Sequence, residues 1–136
     1  MEPSESTILI DVSSGHGEFE QDILERMGHA VMVCHGPGHD EICPILRKGG
    51  SCDMIDGAHG VVFEFDLDRA QHRDILKRYR EMLRPGIPIR VLVKEGQDEK
   101  YSDLLEGAEV WTHNPTVGDL DAFSSRVEAF ERTDKP

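Results

Sequence analysis

Five short apolar runs, each stopping at polar or turn-forming residues and separated by helix-length segments, constrain this chain more than any other feature of its sequence. They are residues 7–12, 29–34, 60–65, 88–94 and 110–115, rich in Val and Ile. A run that stays apolar instead of alternating marks a strand covered on both faces, the signature of a parallel sheet lying between helices. The intervening segments fit that reading. Phe19, Ile23, Leu24 and Met27 recur at helical spacing and stop at Gly28; residues 44–50 read as a short helix with Pro early and Gly late. Residues 69–84 make the strongest helix, with Ala70, Ile75, Leu76, Tyr79 and Leu83 on one side and Pro85-Gly86 ending it. A short fourth helix is expected around Tyr101 to Leu105, and a closing one through Leu120, Phe123, Val127 and Phe130. Right-handed crossovers then predict a single α/β domain over 7–131, a doubly wound five-stranded parallel sheet, with 1–6 and 132–136 as disordered ends.

Charge narrows the partners. Fifteen Lys and Arg stand against 27 Asp and Glu, a formal charge of -12, which repels nucleic-acid phosphates and anionic lipid. Neither nucleic acid nor membrane is an expected partner. The opening residues carry no apolar signal core and no apolar run approaches the ~20 residues that span a bilayer, so a cytoplasmic location is expected. The odd number of cysteines, three, suits a reducing compartment better than a disulfide framework.

The order of elements resembles the receiver domain of bacterial response regulators, which has the flavodoxin-like strand order 2-1-3-4-5. Leu24-Glu25-Arg26-Met27-Gly28-His29-Ala30-Val31 is similar to that family's passage from first helix to second strand, and Asn114-Pro115 ahead of Leu120 to its lysine-proline before the last helix. The resemblance spans nearly the whole chain, yet the family's functional positions carry other residues. The paired acidic residues that hold magnesium after strand one fall on Val12 and Ser13, with only Asp11 nearby. The phosphoacceptor falls on Glu64, one methylene longer than aspartate and able to imitate a permanently charged, activated state. The strand-four hydroxyl residue falls on Val93 and the strand-five lysine on Asn114, so the contacts that grip a phosphoryl group are absent. The resemblance therefore implies a degenerate receiver, a pseudo-receiver.

Parallel sheets collect their sites at the C-terminal ends of the strands. Here that edge is expected to bring together His16, Cys34, His35, His39, Cys43, Glu64, Asp66, Asp68, Lys94, His113 and Asn114. The leading expectation is a stand-alone, non-enzymatic signalling module that acts through protein contact without aspartyl phosphorylation. Glu64 is the degenerate phosphoacceptor position, Asp11, Asp66 and Asp68 form an acidic rim, and Val93, Trp111, Asn114 and Pro115 shape an output face. Its partner is another protein, or a second copy docked through the fourth helix, fifth strand and closing helix. No cofactor is expected on this reading.

The alternative is a metal-binding or thiol redox-sensing module. Cys34, Cys43 and Cys52 recur at nine-residue intervals with His35 and His39 among them, a donor set that zinc prefers. Nine is a poor spacing for structural zinc, and free, partly buried thiols remain the simpler account. A flavin enzyme of the wider flavodoxin-like architecture is a third reading. Residues 13–17, Ser-Ser-Gly-His-Gly, have the form of a phosphate-cradling turn but lack a P-loop lysine, and a helix cap explains them as well. The cationic residues of 69–84, set in an acidic chain, suit either a solvated face or the docking of an acidic partner.

Overall fold

The computed structural model describes residues 6–12, 16–36, 43–46, 50 and 52–134. Strands β1 (Thr7–Asp11), β2 (Ala30–Cys34), β3 (Gly60–Phe63), β4 (Ile89–Leu92) and β5 (Glu109–Trp111) form one parallel sheet in the order β2-β1-β3-β4-β5. Helices α1 (Glu18–Arg26), α2 (Asp53–Asp56), α3 (Ala70–Met82), α4 (Gln97–Lys100), α5 (Ser102–Leu105) and α6 (Val117–Asp134) surround it, with a 3-10 turn at Pro44–Leu46. The alternation read from the apolar runs is the architecture found.

Because successive strand residues point to opposite faces, the sheet splits its apolar side chains between two cores. Leu9, Val61, Phe63 and Val91 pack with Ile45, Ile55, Ile75, Leu76, Tyr79 and Leu105 beneath α2, α3 and α5. Ile8, Ile10, Val12 and Val62 pack with Leu24, Trp111, Leu120, Phe123 and Val127 beneath α1 and α6. Each fully buried aliphatic side chain of this kind contributes roughly 1.5–3 kcal/mol.

Three local features set helix α6 against this sheet. Thr116 and Asp119 cap α6 reciprocally: the Asp119 amide donates to Thr116 Oγ1 at 3.1 Å and the Thr116 amide donates to Asp119 Oδ2 at 3.0 Å. At the start of β3, α6 lies so close that a Cβ on Gly60 would stand 2.6 Å from Val127 Cγ2. A buried chain, Ser6 Oγ to His29 Nδ1 and His29 Nε2 to Ser124 Oγ, both at 2.5 Å, ties the starts of β1 and β2 to α6.

Element boundaries differ from those read in the sequence. β3, β4 and β5 end at Phe63, Leu92 and Trp111, so Glu64-Phe65, Val93-Lys94 and residues 112–115 leave the sheet as loops. Hydrophobicity persists past the last ladder hydrogen bond because those loop residues still cover the core. The expected helix at 101–105 is α5, and α4 precedes it, started by Gly96 at φ 85°. Helix α2 gave no periodic signal, being four residues long. The segment expected as a helix over 44–50 shows a 3-10 turn at 44–46, and 47–49 lie outside the described residues. Helix α6 continues to Asp134, three residues beyond the expected domain end at 131. Ser6, placed by expectation in a disordered end, is buried and bonded to His29. Residues 1–5, 135 and 136 lie outside the described residues.

Candidate functional site

The loops leaving β1, β3, β4 and β5 enclose a cleft of about 430 Å³ at the C-terminal edge of the sheet, lined by Val12, His16, Glu64, Asp66, Val93 and Lys94 among others. His113 and Asn114 close its β5 side. Six of the eleven residues expected at this edge therefore meet: His16, Glu64, Asp66, Lys94, His113 and Asn114.

Glu64 follows Phe63 and so turns to the Val62 side of the sheet, toward α1. Its backbone amide still donates to the Asp11 carbonyl at 2.7 Å, which holds it in the plane of the sheet edge. Its carboxyl meets that of Glu20, a first-turn residue of α1 that is only 7% exposed. The two share a hydrogen bond, which requires a proton on one of them, and Glu64 Oε2 is buried with no further partner. Burial first, and Glu20 second, push the Glu64 carboxyl up to about 8. This environment favours the neutral form of Glu64, in contrast to the expectation of a permanently charged position. The sequence reading missed Glu20, because an acidic residue in a first helical turn looks like ordinary compensation of the helix dipole.

Asp66 is the ionised member of the edge. Partial burial works to raise its pKa, but the Asp68 amide, Lys94 Nζ and Gln97 Nε2, each at 3.0 Å, hold it down at about 2. Gln97 also accepts from the Lys94 amide at 2.9 Å, so it locks the lysine loop over the aspartate. Gln97 is 4% exposed and was not anticipated; the only cue was the preceding glycine. Asp68 faces away, bonded to Tyr101 Oη at 2.6 Å and Lys100 Nζ at 3.3 Å, and these contacts lower its pKa.

Asp11 does not belong to an acidic rim. It stands on the Leu9 side of β1, between Cys34 of β2 and Phe63 of β3 in register, and is 0% exposed. Neither carboxylate oxygen makes a hydrogen bond of good geometry, and burial raises the group to about 7, offset in part by the neighbouring Tyr79 hydroxyl and Cys34 thiol. Burial likewise pushes the Cys34 and Cys43 thiols up. Cys34, Cys43 and Cys52 are free, half-buried and packed against the core that holds Tyr79, on the side of the sheet opposite Glu20. Among the described residues no three His, Cys, Asp or Glu side chains converge as metal ligands. His35 Nδ1 instead contacts the Val12 carbonyl at 3.2 Å, and His39 lies outside the described residues.

On the expected output face, Trp111 is 8% exposed and meets Phe123 edge-on at 6.3 Å, and Val93 is 5% exposed in the opposite core. Both are core residues, because the ends of β4 and β5 lie under helices. Pro115 is also buried, and of this group only Asn114 is open to solvent.

Among solved structures the chain is similar to a response regulator receiver domain protein from Clostridium thermocellum, with a TM-score of 0.66 at 16% identity over 96% of this chain and 98% of that one. It is similar, with the same TM-score, to a CheY-like receiver domain protein from Methanospirillum hungatei JF-1 at 19% identity, covering 96% of this chain and 99% of that one. A receiver domain from Rhodospirillum rubrum matches with a TM-score of 0.55 at 19% identity over 96% of each chain. No protein-family model and no curated protein matches the chain. The fold is that of response regulator receivers. Among the described residues no helix is long and apolar enough to cross a membrane.

Proposed function

We propose that this chain is a receiver-like signalling module that works by protein contact and does not pass phosphate through its strand-three edge. The observation that carries this reading is the Glu20–Glu64 pair. A buried carboxyl whose pKa is raised and which faces a second carboxyl is a poor nucleophile toward a phosphoryl donor and a poor ligand for magnesium. The rest of the cleft supports the same reading: Val12 and Val93 contribute methyl groups where metal-binding and hydroxyl groups would be needed, and Lys94 is committed to Asp66. No group in this description has a catalytic task. The surface of α5, β5 and α6, with Asn114 at its edge, serves as the contact face for a partner protein or a second copy.

The decisive group is tested by following the side-chain carboxyl carbon of Glu64 by NMR across pH, with Glu20→Gln as the comparison. Glu64 should titrate near 8 in the parent protein and lower in the variant, which removes the adjacent charge. Ionisation near the ordinary 4.5 in the parent would leave a charged carboxylate in the cleft and overturn the reading.

A thiol-based reading has one observation behind it, the packing of Cys34, Cys43 and Cys52 against a single core cluster. It requires loss of free thiols under mild oxidation without unfolding; three thiols that stay titratable throughout would dismiss it.

A further inference from the structure

We propose that the groove between α3 and the α4–α5 pair is a docking site for a short acidic segment of a partner protein. The groove encloses about 630 Å³, and its α3 wall carries Arg73, Lys77 and Arg80 on one side of the helix. Tyr101 and Leu104 supply an apolar floor opposite, with Lys100 beside them.

The three α3 cations are positioned but not neutralised. Arg73 Nη1 donates to the Leu67 carbonyl at 2.8 Å while its guanidinium lies 5.4 Å from the Tyr101 ring centroid. Arg80 donates to the carbonyls of Leu104 and Glu106, gripping the end of α5. Carbonyls and a ring face are neutral acceptors, so both guanidinium charges stay available. Lys77 is exposed and has no hydrogen-bond or ionic partner among the described residues. Two carboxylates also line the groove. Glu81 is engaged by Arg78 at 3.2 Å, Lys100 is paired with Asp68 at 3.3 Å, and Asp103 stands opposite α3 on α5, so Arg73, Lys77 and Arg80 carry the net positive charge of the groove.

The occupant follows from scale. The molecule as a whole is at -12, so a long polyanion or a second copy meets repulsion from most of its surface. A short segment lies within a Debye length of the groove, about 8–10 Å at moderate salt, and feels mainly the local cations. An apolar side chain flanked by carboxylates matches the Tyr101 and Leu104 floor and the Arg73, Lys77 and Arg80 wall. This site shares α5 with the contact face proposed above but rests on the α3 cations, so it stands independently of that reading.

The probe is a fluorescent, end-capped glutamate-rich peptide with one central leucine, compared with its glutamine counterpart by anisotropy at low salt. The glutamate peptide should bind saturably, and Lys77→Glu, with unchanged circular dichroism, should weaken it about tenfold, as expected for reversing one charge in a small ionic site. Arg26→Glu, on the distant α1, should leave binding unchanged. Absence of saturable binding, equal binding of the glutamine peptide, or equal weakening by Arg26→Glu would overturn the proposal. Concentration-dependent self-association abolished by Lys77→Glu would overturn it in favour of a second copy as the occupant.

Discussion

Asp11 shows how one residue can oppose the fold that contains it. The ladder places it between Cys34 and Phe63, fully buried and with no well-made hydrogen bond, so folding favours its protonated form. The unfolded chain ionises it from about 3.8, the folded chain only near 7. Stability contributed by this group is therefore highest at low pH, falls as pH rises between those values, and stays low above them. Asp11→Asn keeps the shape and removes the titration. At pH 8 the variant should unfold at higher temperature than the parent, a gain of about 2–4 kcal/mol, and the gain should vanish near pH 4. Thermal melts at the two pH values check this; destabilisation by the same amount at both would show that Asp11 makes a favourable contact whatever its charge. The sequence placed Asp11 at the end of β1 but not inside the core. Which face a strand residue takes depends on the alternation of its neighbours, and an uninterrupted apolar run hides that alternation.

At the scale of elements, strand and helix order was legible because five apolar runs and the long helices at 69–84 and 117–134 are strong periodic signals. Their ends were not. The runs at 60–65 and 88–94 extend past β3 and β4 because Phe65 and Val93 still bury against the α3 face after the ladder has stopped. α2 and α4 are too short to show a period. The cap of α6 was readable in principle, since Thr116 and Asp119 stand three residues apart ahead of Leu120. Gly60 could not have been interpreted from sequence, for its role depends on how closely α6 crosses β3. Gly60→Ala should cost about 1–3 kcal/mol by forcing Val127 and Phe123 outward. Urea denaturation measures it, and an unchanged midpoint would mean that α6 shifts freely on the sheet.

For the molecule as a whole, the receiver fold is reached at 16–19% identity to the solved structures it matches. Apolar pattern and crossover handedness suffice for such a fold, and many sequences satisfy them. On the function proposed above, the few groups at the sheet edge set the behaviour of the cleft. The family resemblance pointed to Glu64, Val93 and Asn114, but the carboxyl that adds to the effect of burial on Glu64 comes from α1, more than forty residues earlier in the chain. Such a long-range carboxyl pair leaves no local motif. On the proposed reading it keeps the cleft chemically quiet at neutral pH, while Asp66 stays charged and bound to Lys94. The decisive property is therefore phosphoryl transfer. Protein incubated with acetyl phosphate and magnesium, then weighed intact and mapped by peptide mass spectrometry, should gain no phosphoryl group at Glu64, Asp66 or any other acidic residue. Stoichiometric labelling at either position would show that the edge still works as a phosphoacceptor and would contradict the account.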